Sequence, residues 1–167
     1  MKSDTIAAIA TALSDAGIGI IRISGPEAIA VANRVVVNKK KEHTLKNWQT
    51  HTIHYGFVEE NGTILDEVMV SVMKAPRSYT TEDTVEINCH GGVLLTKRLL
   101  EAVLHAGARM AEPGEFTKRA FLSGRIDLSE AEAVMDLIQA KNQFSMQASI
   151  KQLRGSVAEK VKSLRAA

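Results

Sequence analysis

The residues best equipped for chemistry lie in one stretch, Ser78-Tyr-Thr-Thr-Glu82-Asp83-Thr-Val-Glu86-Ile-Asn-Cys89-His90-Gly91-Gly92. Read as a strand over Thr84–Cys89, it places Glu86 and Asn88 on one face and Val85, Ile87 and Cys89 on the other. If the apolar set is core, Glu86 looks into whatever space lies over the sheet. A carboxylate there accepts two parallel N–H bonds from a 2-amino-pyrimidinone edge, such as a pterin offers. The alternative is an exposed surface glutamate. Cys89 beside His90 invites a nucleophile–base reading, but adjacent strand residues diverge, and a core thiol is the simpler account.

Two arginines raise a similar choice. Arg22 stands inside the apolar run Ile18-Gly-Ile-Ile-Arg-Ile-Ser24, on the face opposite Ile21 and Ile23. A cation there needs either a structural ion pair or an anionic ligand. Arg125, in Phe121-Leu-Ser-Gly-Arg-Ile-Asp127, falls in a loop between helices, where it is either solvated or available to a ligand. His51 and His54 differ by an odd number along a strand and face opposite ways. With no Cys or carboxylate at ligand spacing, no metal site is expected. The chain also lacks G-x-x-x-x-G-K-[ST], so it has no cradle for nucleoside phosphates and is not expected to hydrolyse GTP.

The elements that position these residues follow from periodicity and breakers. Thr5–Ala10 and Ile18–Ser24 read as short apolar strands. Ser24-Gly-Pro-Glu27 has the form of a capping box, opening a helix from about Pro26 to Val36. Gln49–Val58 and Ile64–Met73 form a hairpin through Asn61-Gly62, with Val68, Val70 and Val72 on one face. A helix over Val93–Ala106 carries Leu95, Leu99 and Val103 as its apolar stripe and stops at Gly107. From Pro113 the pattern is helical. A helix over Glu115–Leu122 precedes a second capping box, Ser129-Glu-Ala-Glu132. A last helix repeats Met146, Ile150, Leu153, Val157, Val161 and Leu164 to the end of the chain and needs partner helices. The expected architecture is α+β. A mixed or antiparallel sheet with helices fills residues 1–118, and the first helices of an α-helical domain fill 119–167.

Composition sets the limits. The 167 residues are 45% hydrophobic, enough for one sizeable core, and 21 Lys+Arg against 19 Asp+Glu leave a formal charge of +2. Any basic footprint is therefore local: from Lys141 onward Lys141, Lys151, Arg154, Lys160, Lys162 and Arg165 face one acid, Glu159, which is either a solvated helix face or such a footprint. The one cysteine excludes an intrachain disulfide and fits a reducing cytoplasm. No apolar run approaches bilayer length and no export signal is legible, so a soluble protein that does not span a membrane is expected.

Three stretches carry a specific resemblance: Asp4–Thr11 with Gly17–Pro26, Glu82–Gly92, and Glu112-Pro-Gly-Glu-Phe-Thr-Lys-Arg-Ala-Phe-Leu-Ser-Gly-Arg-Ile-Asp-Leu-Ser-Glu-Ala-Glu-Ala-Val134. Together they resemble the N-terminal portion of the MnmE/TrmE family of tRNA-modification GTPases, cut before the GTPase module. The resemblance implies a homodimerising domain with the fold of the aminomethyltransferase folate domain, binding a formyl-tetrahydrofolate. It assigns the folate contacts to Arg22, Glu86 and Arg125, the last being lysine in some relatives, with the same charge but another geometry. It further implies a flavoprotein partner, MnmG/GidA, and addition of a carboxymethylaminomethyl or aminomethyl group to the wobble uridine of certain tRNAs. GTP, magnesium and potassium would belong to a later GTPase domain. A non-catalytic scaffold, contacting tRNA or the partner through the basic last helix, is the competing reading. A free-standing one-carbon transferase lacks a convincing nucleophile or base.

Overall fold

The computed structural model describes residues 4–155. The chain forms two compact units, Met1–Pro113 and Gly114–Ala167.

The first unit is a seven-stranded sheet with two helices, an α+β fold. Its strands are β1 (Ile6–Ile9), β2 (Ile18–Ser24), β3 (Val36–Val37), β4 (Thr52–Glu60), β5 (Thr63–Met73), β6 (Thr84–His90) and β7 (Arg109–Met110), and its helices are α1 (Ala28–Val35) and α2 (Val93–His105). The sheet order is β3-β4-β5-β6-β2-β1-β7, antiparallel throughout except for the β1–β7 pair at one edge. Alternation gives each central strand one apolar face. Ile21, Ile23, Val68, Val70, Val72, Val85 and Ile87 are buried on it together with Val31 and Ala32 of α1 and Leu99 and Val103 of α2. Each such side chain contributes about 1.5–3 kcal/mol on leaving water. The helices thus cover one side of the sheet, and Arg22, Glu86 and Asn88 belong to the other.

The β4–β5 hairpin turns at Asn61 (φ 51°) and Gly62 (φ 81°), pairing Glu60 with Thr63. Both turn residues are left-handed, as a tight hairpin twisted with its strands requires.

Several local expectations are corrected. Ser24 does not cap α1. It remains in β2 opposite Thr84, and its buried hydroxyl bonds Thr80 (2.7 Å) and Glu82 (2.9 Å). The helix starts at Ala28, and the Thr5 hydroxyl accepts the Glu27 N–H (2.9 Å) in place of a side chain from the helix itself. Val36 leaves the helix to pair with Val58. His51 lies outside β4, in a turn at φ 61°, while His54 stacks on Trp48 with ring centroids 3.9 Å apart.

The second unit contains α3 (Glu115–Leu122), α4 (Leu128–Gln139) and α5 (Gln143–Leu153). The capping box of α4 is Asp127 with Glu130, not Ser129 with Glu132. Asp127 is extended and accepts the Glu130 N–H (2.8 Å), while the Glu130 carboxylate accepts the Asp127 N–H (2.8 Å). Such a cap is worth about 1 kcal/mol. The last helix is shorter than its apolar repeat implied. It ends at Leu153 with Arg154 as C-cap, and Gly155 takes the left-handed conformation (φ 78°) that closes helices. Val157, Val161, Leu164, Lys160, Lys162 and Arg165 lie outside the described residues. Among the described residues, no helix is long and apolar enough to cross a membrane.

Candidate functional site

The centre of the helix-free face is an ion pair between neighbouring strands. β2 and β6 pair so that Arg22 stands opposite Glu86, and Arg22 Nε donates to Glu86 Oε1 at 2.7 Å. Both side chains keep contact with solvent, at 33% and 23% exposure. Arg22 is therefore paired structurally and still in contact with solvent. Glu86 Oε2 has no protein partner among the described residues. By register, Ala8 flanks Arg22, Ser71 flanks Glu86, and Ile20 and Asn88 continue the face in one direction.

One end of this face has a wall. Ser24 and Thr84 share the face with Arg22 and Glu86, and their hydroxyls engage Thr80 and Glu82 in the segment after β5. Ser78 in turn donates to the Glu82 carbonyl (2.6 Å), and the Ala75 N–H to the Asp83 carboxylate (2.8 Å). Ser78, Thr80 and Thr84 are buried polar residues whose hydroxyls are satisfied by the Glu82 carbonyl, by Ser24 and by the Thr80–Thr84 contact, which stiffens the segment over the sheet. Away from the wall the face is apolar and open, with Ile18, Ile53, Tyr55 and Met69 all exposed.

The other residues of the motif part company as alternation requires. Cys89 is in the core, its thiol donating to the Gly19 carbonyl (3.2 Å), and burial pushes that thiol up from its ordinary value. It is a poor nucleophile there. His90 turns instead to Asp66. Its backbone N–H donates to Asp66 Oδ2 (2.9 Å), and its Nδ1 lies 2.8 Å from Oδ1. The hydrogen bond from Asp66 raises the imidazole above its ordinary value.

The sign of the His90–Asp66 linkage is definite. A histidine raised on folding stabilises the native state below its unfolded value, about 6.5. That contribution is lost as pH rises through the higher folded value. An NMR titration is expected to find His90 titrating above free histidine, and Asp66→Asn to bring it back. Titration at the free value in the unaltered protein would remove the pair.

Arg125 belongs to the second unit. It follows Gly124 (φ 76°) in the turn from α3 to α4, where its N–H is bound to the Ala120 carbonyl (3.0 Å) and its side chain is exposed. Arg22 and Glu86 are therefore brought together by one sheet, while Arg125 is held by a helical turn. Asp66 and Ser24 escaped the sequence reading as parts of the site, and the pairing of β5 and β2 with β6 reveals them. Among the described residues, no three His, Cys, Asp or Glu side chains are grouped to hold a metal ion.

Comparison with known proteins gives the chain's relatives. Residues 5–125 match the family described as GTP-binding protein TrmE N-terminus. A tRNA modification GTPase MnmE from Lachnoclostridium phytofermentans is 60% identical over 165 residues, covering 99% of this chain and 36% of that protein. The proteins of the same name from Listeria welshimeri (54% over 165 residues, 99% and 35%) and Streptococcus thermophilus (55% over 162 residues, 97% and 35%) are similar to a like degree. The chain spans about a third of the length of these curated relatives.

Proposed function

The chain belongs to the TrmE N-terminus family, and we propose that it is the part of a tRNA-modification GTPase that binds a formyl-tetrahydrofolate and joins two copies of the protein. The observation that carries the folate reading is Glu86 on the open face, one carboxylate oxygen taken by Arg22 and the other without a partner among the described residues. That donor set fits a reduced pterin. A carboxylate can accept the paired N–H groups of the 2-amino-pyrimidinone edge, and Arg22 both orients it and offers a cation to the ring carbonyl. The stiff Ser78–Asp83 segment bounds the space on one side, and exposed Met69 and half-buried Ile20 offer apolar surface for a flat ring. Arg125 is the third proposed contact, on the strength of its place in the Arg-Ile-Asp-Leu motif.

When bound, the folate would supply a one-carbon unit. The residues named here would bind and orient it. The chain's own chemistry in this reading is recognition, and among the described residues no thiol or base is poised for covalent work at Glu86. Calorimetric titration with 5-formyltetrahydrofolate tests the reading directly, since absence of any heat of binding across millimolar ligand would overturn it.

Self-association is supported by the same open face. Ile18, Ile53 and Tyr55 form an apolar surface that a second copy would remove from water. Sedimentation velocity is expected to find a dimer, and Ile53→Asp with Tyr55→Asp to yield monomers. A monomer in the unaltered protein would sink this part of the proposal. In the full-length protein, the GTPase activity, the flavoprotein MnmG/GidA as partner and the wobble-uridine modification of tRNA in the cytoplasm complete the proposed role.

A further inference from the structure

The segment joining β3 to β4 concentrates positive charge. From Asn38 to Tyr55 the cations Lys39, Lys40, Lys41 and Lys46 face one acid, Glu42, in a chain whose 21 Lys+Arg and 19 Asp+Glu nearly cancel. Resting on the tRNA part of the reading above for the identity of the polyanion, we propose that this segment is a contact for the phosphate backbone of RNA, made by Lys40, Lys41 and Lys46.

The segment is ordered by its own hydrogen bonds. Asn38 Oδ1 accepts the N–H groups of Lys40 (2.8 Å) and Glu42 (3.0 Å), while Asn38 Nδ2 donates to Glu42 Oε2 (2.8 Å). Two backbone bonds close the same turn, from the Asn38 N–H to the Glu42 carbonyl (3.0 Å) and from the Lys41 N–H to the Asn38 carbonyl (2.9 Å). An asparagine folding the backbone in this way fixes the turn without using any lysine side chain. The local carboxylate is held by an amide, and Lys40, Lys41 and Lys46 are exposed with no ion-pair partner among the described residues. Lys46 rides on the single-turn 3-10 helix Leu45–Asn47, anchored by buried Leu45. Three like charges held close repel one another. A row of phosphates relieves that repulsion and releases its own counterions, and an ordered turn loses little entropy in the exchange.

Phosphate is selected over bases because the aromatic rings nearby are engaged. Trp48 packs against the core and stacks on His54 with centroids 3.9 Å apart. Tyr55 meets Phe57 at right angles and lies under Lys39, whose Nζ is 5.4 Å from the ring centre. The contact therefore positions RNA without reading its sequence. RNA is selected over an anionic lipid surface because residues 39–43 include no apolar side chain to enter a bilayer. Lysines also blunt sheet edges, and β3 is an edge strand. Yet β3 is only two residues long, and the lysines follow it in a turn, where they guard no ladder.

The test is a fluorescence-anisotropy titration of the full chain with a labelled tRNA transcript over a series of salt concentrations, beside phosphatidylserine vesicles. Lys40→Gln with Lys41→Gln and Lys46→Gln is expected to weaken tRNA binding about tenfold or more at low salt. The plot of log affinity against log salt should become shallower by about two to three, roughly one unit per phosphate contact. Lys97→Gln with Lys151→Gln and Arg154→Gln removes the same charge from α2 and the end of α5, and is expected to leave the slope unchanged. A tRNA of unrelated sequence should bind alike, and unchanged thermal midpoints should show both variants folded. An unchanged slope in the first variant, or a loss confined to the second, overturns the inference while the tRNA reading stands. Binding to the vesicles but not to tRNA, or no tRNA binding by the unaltered chain even at low salt, overturns the inference and removes tRNA from this part of the protein. The folate reading is decided separately, by its own calorimetry.

Discussion

Glu86→Ala is expected to weaken binding of 5-formyltetrahydrofolate about a hundredfold without unfolding the protein. A hydrogen bond to a charged group contributes about 1.5–3 kcal/mol, and each 1.4 kcal/mol is a factor of ten in affinity. Losing two charge-assisted bonds, with water filling part of the gap, gives the hundredfold figure. Glu86→Gln is expected to fare little better, because its amide turns one N–H toward a ligand N–H. The fold should tolerate both changes. Arg22 loses its 2.7 Å partner, but both side chains reach solvent, and pairs of that kind contribute about 1 kcal/mol or less. Arg22→Ala should cost less affinity than Glu86→Ala, since it removes an orienting group and one contact and leaves the paired acceptor in place. Calorimetry at fixed pH checks the series. Undiminished binding by Glu86→Ala, with an unchanged thermal midpoint, would place the ligand somewhere other than this face.

Alternation made the facing of Glu86 legible before any coordinates, because Val85, Ile87 and Cys89 could share a face only as core. The same rule separated Arg22 from Ile21 and Ile23. Their meeting was not legible. The two are 64 positions apart, and nothing local fixes the register of β2 against β6. The resemblance named them as a set, and the sheet supplies the reason they belong together. Asp66 was hidden for the same cause: it meets His90 only where the β5–β6 ladder ends at Met69 and Asn88. The hydroxyls of Ser78 and Thr80 belong to a segment without periodicity, where no pattern announces burial.

Helix termini failed in a different way. Ser24-x-x-Glu27 and Ser129-x-x-Glu132 both satisfy the capping pattern, and neither caps. Ser24 is claimed by strand pairing, a tertiary demand stronger than a local one. At α4 the overlapping Asp127-x-x-Glu130 won, because the turn through Gly124 delivers Asp127 in the extended conformation a cap needs. The apolar repeat of the last helix ran on in the sequence past Gly155, although Gly155 is itself a stop signal. Periodicity locates a helix face better than it locates a helix end.

Gly91→Ala is expected to destabilise the first unit by about 3 kcal/mol, near the upper end for overpacking, and to lower its thermal midpoint by roughly 10–20 °C. The reason is space. A Cβ at Gly91 would lie 1.8 Å from the Ala16 carbonyl oxygen, where real Cβ atoms stay beyond 3.0 Å, so two backbone segments would have to part by about 1.2 Å. Neither segment gives easily. The Gly91 N–H donates to the Gly17 carbonyl (3.3 Å), and Gly91 joins His90 at the end of β6 to the first turn of α2. Two other glycines separate the causes. Gly17→Ala meets no atom within 4 Å and no unusual φ, so it should be nearly silent. Gly92→Ala also has open space, but its φ of 112° is unfavourable to any side chain, and its cost, about 1–3 kcal/mol, is conformational. Melting curves that ranked Gly91→Ala with Gly17→Ala would contradict the close approach of the two segments. If the approach is as described, the displacement falls on His90 and spares Glu86, which the β2 ladder holds four residues away. The surviving folded protein should then keep the Arg22–Glu86 pair and lose the His90–Asp66 one.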